Sequence, residues 1–403
     1  MVKPERRTRA DLVAAAAIAV AVAVVAALVW WTSDARATIS RPAASAVKTL
    51  APAKVVPASL RQLWNAPSPK TTAPVLAGGA VVTGDGHQVD GRDPATGSVL
   101  WSYARDLDLC GVTSVYNHAV AVYPDRRGCG QVSTIDGQTG MRGPSRTAYA
   151  DPTVALSTDG TTVLAAGDNR LELWRSDMVR MISYGRLDAK IKPGVPGPVL
   201  CTLKSAAAST SAVSVLEACP DQAFLRLTVL RPAKEEDTPD LKYVQLDDVK
   251  EDSGARVVAV SETTTAVYVP TPRPSLKIID ETGSTTADLP LPKPVSPEAA
   301  ATRPGDVITW WTGDAVLVFS SSGMKYRYTV GPVGSHVPVG PATMMAGRLI
   351  IPVSDGIGVY DPTTGVNERF IPLRREASKS AVVPGVAGSV LLEQRGGMLA
   401  ALG

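Results

Sequence analysis

The stretch DPATGSVLW, from Asp93 to Trp101, decides the fold because its first half returns far along the chain. The segment Asp361 to Phe370 reads DPTTGVNERF, so Asp-Pro-x-Thr-Gly recurs close to the C-terminus. The motif is turn chemistry: proline presets φ, aspartate accepts hydrogen bonds from the backbone ahead, and glycine adopts a positive φ without strain. Both copies follow β-branched stretches that contain a tight Asp-Gly turn, which predicts a hairpin. The repeated unit is therefore a hairpin, a strand, the Asp-x-x-Thr-Gly turn and a further strand.

Weaker copies of this turn lie between the two clear ones, in TIDGQTG, IIDETGS and VFSSSGMKYRY. The turn glycines fall at positions 97, 140, 283, 323 and 365. Three intervals are 43, 40 and 42 residues, and the 143-residue gap between Gly140 and Gly283 has room for two further units plus an insertion. A period near 40 residues with four short strands per unit indicates a β-propeller. The repeat turns rest on Asp93, Thr96, Gly97, Trp101, Asp136, Thr139, Gly140, Asp280, Thr282, Gly283, Asp361, Thr364 and Gly365.

The two ends of the chain predict how the ring closes. The C-terminal stretch GSVLLEQRGGMLAALG supplies three strands and lacks the fourth, whereas Leu63-Trp64 aligns with Leu100-Trp101 in the fourth strand of the first unit. We therefore expect the first strand of the domain to complete the last blade, which also removes an exposed sheet edge. The predicted fold is an all-β propeller of eight blades, or of seven if the irregular middle is misread. Two unrelated β-sandwich domains are the alternative, but such domains would not repeat one turn motif at intervals of about 40 residues.

An apolar stretch near the N-terminus predicts a membrane helix. Leu12 to Trp31 carries no charge, and 20 residues at 1.5 Å each span about 30 Å of hydrocarbon. The preceding basic residues keep the N-terminus in the cytoplasm: Lys3, Arg6, Arg7 and Arg9. A signal peptide cleaved after Ala35-Arg36-Ala37 is the alternative, and both interpretations export the propeller.

The predicted organisation has four parts. Residues 1–11 form a cytoplasmic N-terminus, 12–31 the transmembrane helix, 32–59 a tether and 60–403 the extracytoplasmic propeller. The tether prediction rests on Thr38 to Ser59, which is rich in Ala, Pro and Ser and has no aromatic residue. Such a segment is expected to be extended, since it has little to bury.

Four cysteines occur in two parallel arrangements, Cys110 with Cys129 and Cys201 with Cys219, with nearly equal spacings. Each pair is predicted to form a disulfide within one blade, because the ends of an antiparallel hairpin meet and an exported chain can keep disulfides. A metal site is the alternative, but no Cys-x-x-Cys spacing exists and histidine is scarce.

Catalytic motifs are missing from the sequence. It contains no G-x-S-x-G elbow, P-loop or H-E-x-x-H, and its net charge of +3 does not suggest nucleic-acid binding. The three histidines, His87, His118 and His336, are not grouped along the sequence. The aspartates in DGHQVDGRD, at positions 85, 90 and 93, lack the alternating ligands of a calcium loop and are predicted to form turns.

Two further features have both a structural and a functional interpretation. Acidic residues cluster in the fourth unit and suggest either a solvated loop or a dock for a basic partner: Glu235, Glu236, Asp237, Asp240, Asp247, Asp248, Glu251 and Asp252. The pair Trp310-Trp311 points to opposite faces of a strand, which favours packing between blades over ligand contact.

The unit Asp93-x-x-Thr96-Gly97-x-x-x-Trp101 resembles the tryptophan-docking repeat of quinoprotein-type propellers, over about residues 60–403. That resemblance implies a fold shared by pyrroloquinoline quinone dehydrogenases and by non-enzymatic envelope scaffolds such as outer-membrane assembly lipoproteins. The dehydrogenases typically carry adjacent cysteines, which this chain lacks, so no cofactor and no metal are predicted. The layout of basic N-terminus, single helix, VWW, tether and propeller is also similar to membrane-anchored propellers of mycobacteria, some of which support polar growth and mycolic-lipid export.

The sequence thus predicts a non-enzymatic propeller, anchored in the plasma membrane, that serves as an envelope scaffold or ligand-binding protein. The expected partner is an envelope membrane protein or an envelope lipid. A quinone-dependent or other small-molecule oxidoreductase that uses the central channel is the alternative.

Overall fold

The computed structural model describes residues 8–187, 201–376 and 380–403. In this part of the chain eight sheets follow one another, each built of antiparallel neighbours. The eight-bladed propeller is therefore confirmed. The predicted basic residues Lys3, Arg6 and Arg7 lie outside the described residues.

The N-terminal helix α1 (Arg9–Trp31) precedes the propeller, and a single turn, α2 (Asp34–Ala37), follows it. Thr8 and Asp11 form a capping box at its start, with Thr8 N donating to Asp11 Oδ2 at 2.8 Å. No residue of α1 is buried, and its most apolar 18-residue window has a mean hydropathy of 3.0. The helix is compatible with a single-pass membrane anchor or with a signal sequence.

Two strands precede the first complete blade, and each of them joins a sheet formed by later residues. They are β1 (Ile39–Arg41) and β2 (Gln62–Pro67). The first four blades then follow in chain order. Blade 1 contains β3 (Val75–Ala77), β4 (Ala80–Asp85), β5 (Gln88–Arg92) and β6 (Val99–Ala104). Blade 2 contains β7 (Gly111–Val115), β8 (His118–Asp125), β9 (Gly128–Asp136) and β10 (Arg142–Thr147). Blade 3 contains β11 (Ala155–Thr158), β12 (Thr162–Ala166), β13 (Arg170–Arg175) and β14 (Arg180–Gly185). Blade 4 contains β15 (Thr202–Ala208), β16 (Val213–Ala218), β17 (Arg226–Arg231) and β18 (Asp240–Gln245).

The second half of the ring repeats this order after a 3-10 turn at Glu251–Ser253. Blade 5 contains β19 (Arg256–Ser261), β20 (Thr264–Val269), β21 (Ser275–Ile279) and β22 (Thr285–Pro290). Blade 6 contains β23 (Ala300–Thr302), β24 (Val307–Trp311), β25 (Val316–Ser320) and β26 (Tyr326–Val330). Blade 7 contains β27 (Thr343–Met345), β28 (Arg348–Val353), β29 (Gly356–Tyr360) and β30 (Asn367–Pro372). Blade 8 contains β31 (Val382–Ala387), β32 (Val390–Arg395), β33 (Met398–Leu402) and the early strand β2.

The ring has two faces, which differ in the loops that they carry. We define the turn face as the end where the first strand of each blade turns into the second, and the third into the fourth. The opposite end, the connection face, carries the turns between second and third strands and the links from one blade to the next. Middle strands are buried on both sides, as in β28, where Leu349 to Val353 are all buried. Near-continuous apolar runs therefore mark the middle strands, whereas outer strands alternate.

Trp101 shows why the repeat pairs a tryptophan with a turn glycine. Its ring lies in the first blade and packs against Gly140 in the turn of the second, where its Nε1 donates to Gly137 O at 2.9 Å. Gly140 has φ +71°, and a Cβ there would lie 2.7 Å from Trp101 Cγ. Only glycine fits this position, since it must adopt a left-handed conformation and also admit the indole.

The same contact recurs around the ring with different aromatic residues. Trp64, in the strand that completes blade 8, packs on Gly97 and donates to Pro94 O at 2.8 Å. Tyr328, in blade 6, packs on Gly365 and donates to Pro362 O at 2.8 Å. In each case the outer strand of one blade docks on the turn of the next, so the repeat joins neighbouring blades.

The turn aspartates hold these docking glycines in place. Asp93 Oδ1 accepts from Ala95 N at 3.0 Å and from Thr96 N at 2.9 Å. Asp136, Asp280 and Asp361 accept equivalent backbone bonds in their own turns. Backbone and hydroxyl bonds from Thr364 lower the pKa of Asp361, because they favour its ionised form.

We expect the docking tyrosine to make stability pH-dependent above pH 10. Burial raises the pKa of Tyr328 to about 12, so the unfolded phenol ionises at a lower pH than the folded one. The free energy of unfolding should therefore fall between about pH 10 and 12, by at most about 1.4 kcal/mol per pH unit from this group. Urea unfolding of the wild type and of Tyr328→Phe across this pH range gives the free energy of unfolding of each protein. The effect of Tyr328 is the difference between the two slopes of that free energy against pH. Equal slopes would show that Tyr328 is not buried as described.

The ring closes by pairing its two ends. The strand β2 runs antiparallel to β33, with Ala66 opposite Leu399 and Pro67 opposite Met398. Leu399 is fully buried, and half-buried Leu63 and Trp64 pack against the same cluster. The predicted closure is confirmed, and Trp64 occupies the position in blade 8 that Trp101 occupies in blade 1.

The segment 39–60, predicted as a free tether, instead packs on the propeller, and we call it the belt. Its first residues form β1, which adds a fifth strand to blade 1 with Ile39 opposite Ala104. The chain then crosses the turn face, where Ala43 N donates to Thr139 O at 2.9 Å and Val47 N donates to Gln138 O at 2.8 Å. The tether prediction is wrong here because small apolar side chains and backbone hydrogen bonds suffice to hold a segment without aromatic residues.

The second half of the belt reaches the last two blades. Leu50 packs in the cluster of blade 8, and Val56 and Leu60 pack in the cluster between blades 7 and 8. Arg369, in blade 7, donates to Val56 O at 2.7 Å. The short link from Trp31 to Ile39 joins α1 to the belt. Even fully extended, it would let the start of the belt lie at most about 25 Å from the end of α1.

Both predicted disulfides form, Cys110 with Cys129 and Cys201 with Cys219. Cys110 immediately precedes β7, and Cys129 follows the second strand β8, at the start of β9. Cys201 and Cys219 flank the hairpin β15–β16. Each bridge therefore lies within one blade, as predicted.

Candidate functional site in the central channel

A cavity of about 560 Å³ lies on the axis of the ring. Its wall contains residues from the innermost region of all eight blades, mostly alanine, proline, serine and threonine. Small side chains are required here because eight inner strands converge on one axis. No described residue of the belt lines this cavity, although Lys48 O packs beside Gly79 at the neighbouring turn of blade 1.

Two ionisable residues, Asp159 and Arg303, stand among the described residues of the channel wall. Both lie in turns between the first and second strands, in blades 3 and 6, so they mark the mouth on the turn face. Asp159 is fixed by its own turn, since its Oδ1 accepts from Thr161 N at 2.9 Å and Thr162 N at 2.8 Å.

Arg303 differs from Asp159 in its surroundings. Within the described ranges its guanidinium makes no hydrogen bond or ion pair, and the residue is exposed at the channel mouth. Partial desolvation by the surrounding channel wall lowers the pKa of Arg303, and the carboxylate of Asp159 acts in the opposite direction. An arginine remains charged under such a shift, so the mouth presents a cation whose N–H donors are available to a ligand.

The channel mouth can therefore bind an anion. A guanidinium suits the bidentate recognition of carboxylate or phosphate. General acid–base catalysis most often uses histidine, and the described lining contains none. Pyrroloquinoline quinone, a tricarboxylate, fits this lining poorly because Arg303 is the single cation among the described wall residues.

The three histidines stay apart, as their sequence positions suggested. His87 is exposed in a turn of blade 1, and His118 is half-buried at the start of β8. His336 stacks on Phe370 with ring centroids 3.8 Å apart, and its Nδ1 lies 2.7 Å from Asp355 Oδ1. This contact lowers the pKa of Asp355.

The aspartates of the first hairpin do not converge on a common point. Asp90 binds Arg92 at 2.8 Å, Asp93 holds its turn, and Asp85 is exposed. Among the described residues, one group has metal-ligand proximity: Cys201, Glu217 and Cys219. The two sulfurs are joined to each other, and Glu217 instead accepts from Arg226 at 2.9 Å.

The acidic cluster is divided between the two faces of blade 4, which corrects the prediction of one exposed loop. Glu235, Glu236 and Asp237 lie in the turn before β18, whereas Asp247 to Asp252 lie in the link to blade 5. Glu236 is not simply solvated, since it binds Arg180 of blade 3 at 2.9 Å.

The adjacent tryptophans fill two different interfaces between blades. Trp310 packs 5.9 Å from Tyr268 of blade 5, measured between ring centroids. Trp311 packs toward blade 7, where its Nε1 donates to Pro338 O at 2.8 Å. Both indoles are buried, so they pack between blades and do not line the channel.

Sequence reasoning missed Arg303 and Asp159. They lie far apart along the chain, and neither belongs to a repeated motif. Alignment of the turns between first and second strands would have placed both at the channel mouth, because corresponding turns of a propeller surround the same axis.

Comparison with known proteins supports the fold. No family model matches the chain, and no curated protein matches it in sequence. The computationally designed Ika8 protein has a similar structure, with 14% identity, a TM-score of 0.52, and coverage of 89% of this chain and 99% of Ika8. BamB from Moraxella catarrhalis gives 14% identity, a TM-score of 0.47, and coverage of 86% and 98%. The dihydro-heme d1 dehydrogenase NirN gives 16% identity, a TM-score of 0.46, and coverage of 87% and 73%. The Ika8 similarity supports a propeller, and none of the three indicates a function.

Proposed function

We propose that this chain is a non-enzymatic, membrane-anchored propeller that binds an anionic group of an envelope partner at the mouth of its channel. The partner is an envelope membrane protein or an envelope lipid. The observation that carries the proposal is the guanidinium of Arg303 at the opening of an otherwise small-residue cavity.

The proposed location is the outer side of the plasma membrane, with α1 as a retained anchor. The basic residues before α1 support a cytoplasmic N-terminus. Two disulfides support an oxidising compartment for the propeller. The belt and the short link after Trp31 would hold the ring within about 25 Å of the bilayer, which suits a scaffold that serves other membrane components.

The finer role that we propose is support of envelope lipid transport and growth. The similarity of the N-terminal layout to membrane-anchored mycobacterial propellers motivates this role. The small-residue channel supports binding in preference to catalysis, because its described wall holds a single arginine and a single aspartate.

Site-specific photocross-linking in cells tests the proposal. A photoreactive residue replaces Ser157, which lines the channel, or Ser145, which is exposed on the outer strand of blade 2. We expect one dominant adduct from position 157 and not from position 145. Arg303→Gln should reduce this adduct at least about fivefold, the loss expected for one charge-assisted contact.

Arg142→Gln is the matched control, because Arg142 is exposed on the rim and its replacement removes the same charge. A channel adduct unaffected by Arg303→Gln would contradict binding through this cation. Quinone absorbance with dye reduction by the purified full chain would contradict the non-enzymatic assignment and favour the oxidoreductase.

A further inference from the structure

The outer strand of blade 4, β18, is the most regular outer strand of the ring. Its ladder with β17 runs over six consecutive pairs, from Asp240 opposite Arg231 to Gln245 opposite Arg226, without a register shift. The outer ladders of the other seven blades each contain a register shift. Such irregularities bend a strand and increase its twist, which discourages pairing with the edge of another chain. The outer ladder of blade 4 therefore lacks a protection that the others have.

The outer edge of β18 is open in the part of the chain that the structure describes. β18 is the last strand of its sheet, and none of its six residues is a proline. The preceding loop contacts blade 3, where Glu236 O accepts from Ser183 N at 2.6 Å, and it contributes no strand to blade 4. Alternate backbone N–H and C=O groups of such an edge point away from the sheet, so they can pair with a further strand.

Blade 1 shows that an outer edge of this ring can accept a fifth strand. The belt strand β1 pairs antiparallel with β6 over three residues, Ile39 to Arg41, and covers the outer edge of that blade. β6 accepts β1 although its own ladder with β5 contains a register shift. The longer and unshifted edge of β18 is therefore expected to pair with at least as many residues.

The side chains of β18 indicate which kind of segment would pair with it. Leu241 and Tyr243 share one face of the strand and are 41% and 46% exposed. The guanidinium carbon of Arg226 lies 4.3 Å from the centroid of the Tyr243 ring, which holds this ring in place. Lys242, on the opposite face, is exposed, and no carboxylate among the described residues pairs with it. Apolar side chains beside Leu241 and Tyr243 and a carboxylate beside Lys242 would complement this edge.

We propose that β18 binds an extended peptide segment of a partner protein, which pairs with it as a fifth strand of blade 4. The segment carries apolar side chains on one face and a carboxylate opposite Lys242 on the other. Main-chain hydrogen bonds supply the affinity, and the alternate side chains supply the specificity. No residue of β18 lines the central channel, so this docking strand is independent of the anion site at the channel mouth.

Amide hydrogen exchange on the full chain in neutral detergent tests this edge. The probe is a synthetic peptide, Thr-Val-Glu-Val-Thr-Val-Thr, with both termini blocked. At a peptide concentration ten times its Kd, we expect the outward-facing amides of 240–245 to exchange about tenfold more slowly. The amides of 326–330, in the shifted outer strand of blade 6, should not change. A peptide with lysine in place of glutamate should bind about fivefold more weakly, because like charges disfavour a cross-strand pair.

A charge reversal in β18 tests the role of Lys242. Lys242→Glu should weaken binding of the glutamate peptide about fivefold and strengthen binding of the lysine peptide by a similar factor. Arg142→Glu is the matched control, because Arg142 is exposed on the shifted outer strand of blade 2. This control should change either affinity less than twofold.

Slower exchange at 240–245 together with the reversed charge preference would support the proposal. Unchanged exchange at 240–245, or equal slowing at 326–330, would overturn it. Equal affinities of the wild type for the two peptides would overturn the requirement for a carboxylate. Exchange at 240–245 that slows with protein concentration in the absence of peptide would place a second copy on this edge and would overturn the partner segment.

Discussion

Gly140→Ala is expected to destabilise the propeller by about 2 to 5 kcal/mol, whereas Gly323→Ala should cost only about 1 to 2 kcal/mol. Both glycines lie in turns between third and fourth strands, with φ +71° and φ +64°. The left-handed backbone costs alanine about 1 to 2 kcal/mol at either position. A Cβ at Gly140 would also meet Trp101, whereas at Gly323 it would meet nothing within 4 Å. Overpacking adds about 1 to 3 kcal/mol in the first case.

A double-mutant cycle tests whether the docking of Trp101 is the cause. Trp101→Ala should itself cost about 3 to 5 kcal/mol, since the indole is 1% exposed. In that background Gly140→Ala should cost less than in the wild type, because the indole is gone, but more than Gly323→Ala, because the Cβ of position 101 stays in close contact with the added methyl. Urea unfolding of the variant chains and the wild type provides the free energies. Additive costs would show that the indole does not press on this turn.

Removal of the closing strand is expected to abolish cooperative folding. A chain that begins at residue 68 lacks β2, so β33 becomes an open edge and the side of the ring that Trp64 covers is exposed. A chain that begins at Thr38 keeps both the belt and β2 and should melt like the full protein. Circular dichroism melting and size-exclusion chromatography distinguish the two outcomes.

An intermediate truncation separates the belt from the closing strand. A chain that begins at residue 62 retains β2 but exposes the apolar positions that the belt covers in blades 7 and 8. It should fold with a lowered melting temperature and associate through the uncovered surface. If the chain that begins at residue 68 melts as cooperatively as the one from Thr38, closure by β2 does not hold the ring together.

The ring could be predicted because each blade encodes its contact with the next in a short segment. An aromatic residue in an outer strand and a glycine in the following turn recur together, as with Trp101 and Gly140. Trp64 could be assigned to the last blade by the same rule, since Leu63-Trp64 repeats the Leu100-Trp101 pair of the first blade. The cysteine pairs were predictable because their spacing matches one hairpin, whose two ends meet.

The belt and the channel mouth could not be predicted in the same way. The belt lacks periodicity and large side chains, and its position depends on carbonyls of distant turns such as those of Gln138 and Thr139. Arg303 and Asp159 line the same cavity only because the ring brings the turns of blades 3 and 6 to one axis. Their roles depend on where the folded ring places them, and the spacing of residues along the sequence does not reveal that position.

The belt also determines how the ring would respond to mechanical load from the bilayer. A pull on α1 reaches the propeller first at Ile39, the end of the short ladder between β1 and β6. This ladder has three residue pairs, and it would carry the load before the seam between β2 and β33 does. If α1 were joined directly to β2, the same force would act on the strand pair β2–β33 that closes the ring. With α1 as the proposed anchor, the extra strand of blade 1 would separate the closure of the ring from forces on the membrane helix.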